Sequence, residues 1–69
     1  MSNKHILIIG SGSVGKRHAR NLSALGCRIS CVDPRAERRD ELAKETAIVG
    51  SFADEKEALS AAGYDGVVI

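Results

Sequence analysis

Three glycines, Gly10, Gly12 and Gly15, stand at the spacing G-x-G-x-x-G within the run Gly10-Ser11-Gly12-Ser13-Val14-Gly15. Such a run suits one kind of chemistry, the holding of a pyrophosphate. Gly10 allows a tight turn, Gly12 lets bare backbone approach the phosphates, and Gly15 lets a following helix pack closely on what precedes it. The N–H groups at the start of that helix then point at the anion. Glycine-rich turns also arise for steric reasons alone, so a second signal is required. Asp33 supplies it, 23 residues after Gly10 and 18 after Gly15. An acidic side chain there would accept hydrogen bonds from the ribose of an adenosine. Asp33-Pro34 also suits a plain turn or helix cap, yet taken with the glycines it points to a bound dinucleotide.

For these residues to meet, the loop must join a strand to a helix. His5-Ile6-Leu7-Ile8-Ile9 is an apolar, β-branched run ended by Gly10, which reads as a strand buried on both faces. From Ser13 the period becomes helical, with Val14, His18, Leu22 and Leu25 as the expected apolar stripe and Gly26 as the stop. Arg28 to Asp33 reads as a second strand closed by Pro34, and Arg35 to Thr46 as a second helix with Ala36, Leu42 and Ala43 facing inward. Ala47 to Gly50 reads as a third strand. Ser51 is the expected cap of a third helix that carries Asp54, Glu55 and Glu57 near its start and runs to about Ala62. Gly63-Tyr64-Asp65 turns into a fourth strand, Gly66 to Ile69. The order β-α-β-α-β-α-β requires right-handed crossovers and a parallel sheet. The expected fold class is therefore α/β, the N-terminal portion of a Rossmann-type doubly wound parallel sheet with strand order 3-2-1-4. A dinucleotide would cross its C-terminal edge between the first and fourth strands.

The chain has 69 residues, ten Lys and Arg against nine Asp and Glu, and a net charge of +1. A compact chain of this size buries only about 60% of the surface its unfolded form exposes, too little for an enzyme with its own substrate domain. We expect residues 1–69 to be the first part of a dinucleotide-binding domain whose remainder, with the substrate domain, lies elsewhere. The charge is unevenly distributed. Residues 16–39 hold seven basic groups and two acidic ones, and residues 40–69 hold two basic and seven acidic. With one Tyr and one Phe to stack on bases, the basic half does not read as a nucleic-acid surface. No apolar run is long enough to span a bilayer. Cys27 and Cys31 on one strand would be about 13 Å apart, beyond disulfide reach, and two Cys with two scattered His do not make a metal site. A reducing cytoplasm is the expected location.

An ionised Asp33 would repel a 2′-phosphate, so NAD is the expected cofactor, with NADP possible because Arg35, Arg38 and Arg39 stand beside it. Lys16 follows Gly15, but the sequence lacks the G-x-x-x-x-G-K-[ST] pattern of a nucleoside-triphosphate loop. His18 falls in the helical stripe, where a half-buried structural histidine is the plain reading and a site residue the sharper one.

The run from Gly10 to Leu22, with His18 three residues after Gly15 and Leu22 four beyond that, resembles the opening of the Gfo/Idh/MocA family of NAD(P)-dependent oxidoreductases. The resemblance extends through Cys31-Val32-Asp33-Pro34, Ser51-Phe52-Ala53-Asp54 and Tyr64 to Ile69. It implies hydride transfer between a nicotinamide and a sugar-like or cyclitol substrate, bound by a further domain of a homo-oligomeric parent. On this reading Gly10, Ser11, Gly12, Ser13, Val14 and Gly15 serve the pyrophosphate region, Asp33 the ribose, and Arg35 and Phe52 the adenine. The Thr-Pro loop and Glu-Lys-Pro motif of that family do not occur in residues 1–69, so no residue here is assigned a catalytic role. A regulatory module that senses a nucleotide without chemistry is the alternative, and a methyltransferase a more distant one.

Overall fold

The structure, a computed structural model, describes residues 4–10 and 12–69. Its elements are β1 (His5–Ile9), α1 (Ser13–Ala24), β2 (Arg28–Val32), α2 (Ala36–Glu45), β3 (Ile48–Phe52), α3 (Glu55–Ala61) and β4 (Gly66–Val68). All pairings are parallel and the strand order is β3-β2-β1-β4. This is the Rossmann-like α/β arrangement that the alternation of strand and helix signals requires.

Position in the sheet explains the composition of β1. It pairs with β2 on one side and β4 on the other, and Leu7 and Ile8 are both fully buried on opposite faces. A strand covered on both faces can carry apolar side chains at every position. The crossovers from β1 to β2 to β3 step one way, and the crossover to β4 steps back. With a fixed right hand, α1 and α2 cover one face and α3 the other. On the first face Ile8, Ile29 and Cys31 meet Ala19 of α1 and Leu42 of α2. On the second, Leu7 and Val32 meet Ala58 of α3, with Phe52 and Tyr64 packed alongside.

Helix α1 is rotated from the expected stripe. Its inward residues are Ala19, fully buried, and Leu22, while Val14 is 64% and Leu25 62% exposed. A small residue at the centre of the contact brings the helix axis close to the sheet, which the spacing of the larger apolar residues does not reveal. In α2 only Leu42 is buried, and Ala36 and Ala43 face outward. Strand β3 passes a register shift between Ile48 and Gly50 and runs two residues further, to pair Ser51 with Cys31 and Phe52 with Val32. The cap of α3 is consequently Asp54, whose Oδ1 accepts from the Glu57 N–H at 2.7 Å, and not Ser51.

The N-terminal edge of the sheet, away from the glycine loop, is closed by polar contacts. The Nε2 of buried His5 lies 2.6 Å from Ser30 Oγ, and its ring packs 4.6 Å from Tyr64. The Tyr64 hydroxyl donates to the Ala58 carbonyl at 2.7 Å. The His5 N–H donates to the Asp65 Oδ2 and the Asp65 N–H donates to the His5 carbonyl, both at 2.8 Å.

Because α2 is anchored by one buried side chain, Leu42→Ala is expected to lower stability by about 2–5 kcal/mol. Ala43→Ser, on the outer face, is expected to stay within about 0.5 kcal/mol. Urea denaturation of the intact protein compares the two.

Candidate functional site

The glycine loop sits at the C-terminal end of β1, between the two neighbours of that strand. Gly10 adopts φ +93°, a conformation unfavourable for residues with a Cβ, and its N–H donates to the Val32 carbonyl at 2.8 Å. The turn is thus tied to the end of β2. Ser11 lies outside the described residues. Gly12 is the N-cap of α1 and its carbonyl accepts from the Lys16 N–H at 2.9 Å. Gly15 then rests on the turn so closely that a Cβ there would lie 2.1 Å from the Gly10 carbonyl oxygen. Backbone cannot yield to that overlap, so glycine is required for α1 to start at this point.

Among the described residues no side chain caps α1, and its first turn contains no acidic residue. The N–H groups of Ser13, Val14 and Gly15 therefore form the positive end of the helix dipole, with no acidic side chain beside them in that turn. Lys16 does not add its charge to the loop. Its ammonium turns toward α2, 2.8 Å from Glu41 and 3.5 Å from Glu45.

Asp33 follows β2 and is 1% exposed. Its backbone N–H donates to the Phe52 carbonyl at 3.1 Å. Its Oδ1 accepts from the Arg35 N–H at 2.9 Å and from Arg35 Nε at 3.1 Å, and its Oδ2 accepts from Arg35 Nη2 at 3.3 Å. The carboxylate thus closes a turn just ahead of α2, whose N-cap is Arg35, and holds the Arg35 guanidinium over itself. The hydrogen bond to Asp33, then its charge, raises the Arg35 pKa above its ordinary value. Two other arginines of α2 flank this pair. Arg39 donates through Nη1 to Ser51 Oγ at 3.2 Å. Arg38 reaches the glycine loop, where its Nη1 would stand 3.3 Å from a Cβ built on Gly12.

Two cavities open on either side of Gly10. One, of about 330 Å³, lies between α1 and the ends of β1 and β4 and is lined by Ile9, Gly12, Val14, His18, Val68 and Ile69 among others. The other, of about 450 Å³, runs from Gly10 past Val32, Asp33 and Arg35 to Ala53, Asp54 and Glu55. The expected site residues divide accordingly. Gly10 and Asp33 are brought together, as are Gly12, Ser13, Val14 and Gly15. The outward rotation of α1 puts Val14 and His18 on the wall of the first cavity. Phe52 is half-buried against Leu7, Val32 and Ala58 and is not among the residues that line the second cavity. Ala53, Asp54 and Glu55, next along the chain, line that wall instead. The sequence reading missed these three because it ended β3 at Gly50, and it gave no reason to single out Arg38 from its neighbours.

A glycine loop between the first strand and first helix of a parallel sheet, at the point where strand order reverses and with an acid ending the second strand, defines a dinucleotide-binding protein of the Rossmann class. Comparison with known proteins agrees. A family described as "Putative NAD(P)-binding" matches residues 1–69, and the chain belongs to that family. Its fold is also that of a probable oxidoreductase from Mycobacterium abscessus, with a TM-score of 0.74 and 20% identity, over 96% of this chain and 24% of that one. The chain thus spans about a quarter of the length of that protein. No curated protein matches the sequence. No helix of the described residues is long and apolar enough to cross a membrane.

The Lys16–Glu41 bridge, which joins α1 to α2 beside the loop, gives the site a pH signature. The hydrogen bond from Lys16 lowers the Glu41 pKa and the same bond raises that of Lys16. A carboxyl lowered by folding adds stability above its unfolded value, and this is lost as pH falls through the lowered value. The raised ammonium adds stability below its unfolded value, lost as pH rises through the raised one. Both groups are solvated, so the effect is small. The stability gap between wild type and Glu41→Gln is expected to be present at neutral pH and to close in acid. Thermal melting across pH measures it, and a gap that does not change with pH would contradict the assignment.

Proposed function

We propose that residues 1–69 are the cofactor-binding portion of a longer NAD(P)-dependent oxidoreductase of the Gfo/Idh/MocA type. Its parent transfers hydride between the nicotinamide and a sugar-like or cyclitol substrate held by another domain. The observation that carries the reading is the cradle formed by Gly10, Gly12 and Gly15. A Cβ at Gly15 would collide with the Gly10 carbonyl and disrupt it, the first turn of its helix carries no acidic residue, and Gly10 borders the same cavity as buried Asp33. The span of the chain, about a quarter of a probable oxidoreductase of the same fold, supports a longer parent.

The chain's residues bind and orient. The amides from Gly12 to Gly15 hold the pyrophosphate, and Asp33 accepts from a ribose hydroxyl through Oδ2, the oxygen that Arg35 holds more loosely. Arg35 lies toward the adenine and Phe52 supports that wall from beneath. The cavity between α1 and β4 leads the cofactor toward the nicotinamide end, with Val14 and Val68 excluding water. When bound, the nicotinamide supplies hydride chemistry. Proton transfer to or from the substrate belongs to groups outside residues 1–69, in the cytoplasmic, homo-oligomeric parent.

Titration of the intact protein with NADH, followed by nicotinamide fluorescence, tests the reading. Saturable binding is expected. Asp33→Asn keeps the shape but removes the charge, and is expected to weaken binding by roughly tenfold, the scale of one hydrogen bond to a charged group. Absence of binding would refute the reading.

A further inference from the structure

His18 lies on α1 one turn beyond Val14, on the wall of the cavity between α1 and the ends of β1 and β4. Ala19 faces the sheet, and one residue of helix is a rotation of about 100°, which turns His18 from the core to the cavity. Its side chain is half-buried. A histidine that serves the fold alone is bonded within it, as the His5 ring is to Ser30 Oγ at 2.6 Å. His18 makes no hydrogen bond or ion pair among the described residues. A partly buried polar group without a partner is costly, and its presence asks what completes it.

The surroundings narrow the answer. The side chains of Ile8, Ile9, Val14, Val68 and Ile69 make the cavity wall apolar. Among the described residues that line it, only Ser13 and His18 have polar side chains, and none is Lys, Arg, Asp or Glu. A phosphate would find no cation there. Nor would it find free amides, because His18 is about 6 Å along the helix from Val14, where the N–H groups bond within the helix. A flat, weakly polar ring with one hydrogen-bonding substituent suits this wall.

We infer that His18 holds the nicotinamide end of the cofactor, through a hydrogen bond between its imidazole and the carboxamide of the ring. The inference rests on the proposed cofactor site, and assigns to His18 the end of the dinucleotide that the glycine loop and Asp33 do not reach. A neutral imidazole has one donor and one acceptor nitrogen, and a carboxamide offers both an N–H and a carbonyl, so either tautomer can pair with it. Ile9, Val14 and Val68 then pack on the ring.

The test compares NADH with ADP-ribose, which has the same adenosine and pyrophosphate and lacks the nicotinamide. Calorimetric titrations of the intact protein are made on wild type, His18→Leu and His18→Gln. Wild type is expected to bind NADH more tightly than ADP-ribose. His18→Leu is expected to weaken NADH by about fivefold, the scale of one neutral hydrogen bond, and to leave ADP-ribose within about twofold. His18→Gln, which keeps a donor and an acceptor, is expected to recover most of the loss. ADP-ribose binding by each variant reports that the loop is intact. If wild type binds both ligands equally, or if His18→Leu weakens both by the same factor or neither, the inference is overturned and the cofactor site stands. If wild type binds neither ligand, the cofactor site itself fails and the inference with it.

Discussion

The contact on which the rest depends is backbone against backbone, the start of α1 at Gly15 resting on the carbonyl of Gly10. It sets where the helix begins relative to the end of β1, and so where its unpaired N–H groups point. The same turn donates from Gly10 to Val32, which fixes the loop to β2 and thereby to Asp33 one residue on. A side chain at Gly15 would push α1 outward and widen the gap between the helix N-terminus and Asp33. The small Ala19 continues the close approach one turn later, where it is fully buried on the sheet.

Charge is distributed by the same geometry. Lys16 follows the last glycine and in an extended view would crowd the loop with positive charge, but it is drawn to Glu41 and Glu45 on α2. Asp33 is drawn into Arg35. Among the described residues, the helix end and the Arg38 guanidinium stand together at the mouth of the loop. The acidic excess of residues 40–69 is thus used in part to tie α2 to α1, and one cation of residues 16–39, Arg35, pairs with the buried Asp33.

Much of this was legible in the sequence because local signals and global topology agree. The apolar run at Ile6 to Ile9 and the glycine spacing between a strand and a helix pattern fix the β-α-β alternation, and crossover handedness then gives the observed strand order. The errors came where side-chain size or a local irregularity decided. Helical spacing puts Val14 and Leu25 in the apolar stripe, whereas α1 packs through Ala19 and leaves both exposed. Strand β3 was ended at Gly50, whereas Gly50 sits opposite Ser30 beside a register shift and the strand continues to Phe52. The Asp33–Arg35 pairing and the reach of Arg38 to Gly12 depend on rotamers that no spacing rule encodes.

Amide spectra of the intact, nitrogen-labelled protein titrated with NADH address the central claim most directly. The account predicts that the largest shifts fall on the amides of Gly10, Gly12, Ser13, Val14 and Gly15, with a second group at Asp33 and Arg35. It predicts little change at the opposite edge of the sheet, at His5, Ser30 and Asp65. Shifts concentrated at that opposite edge, with the glycine loop unaffected, would contradict it.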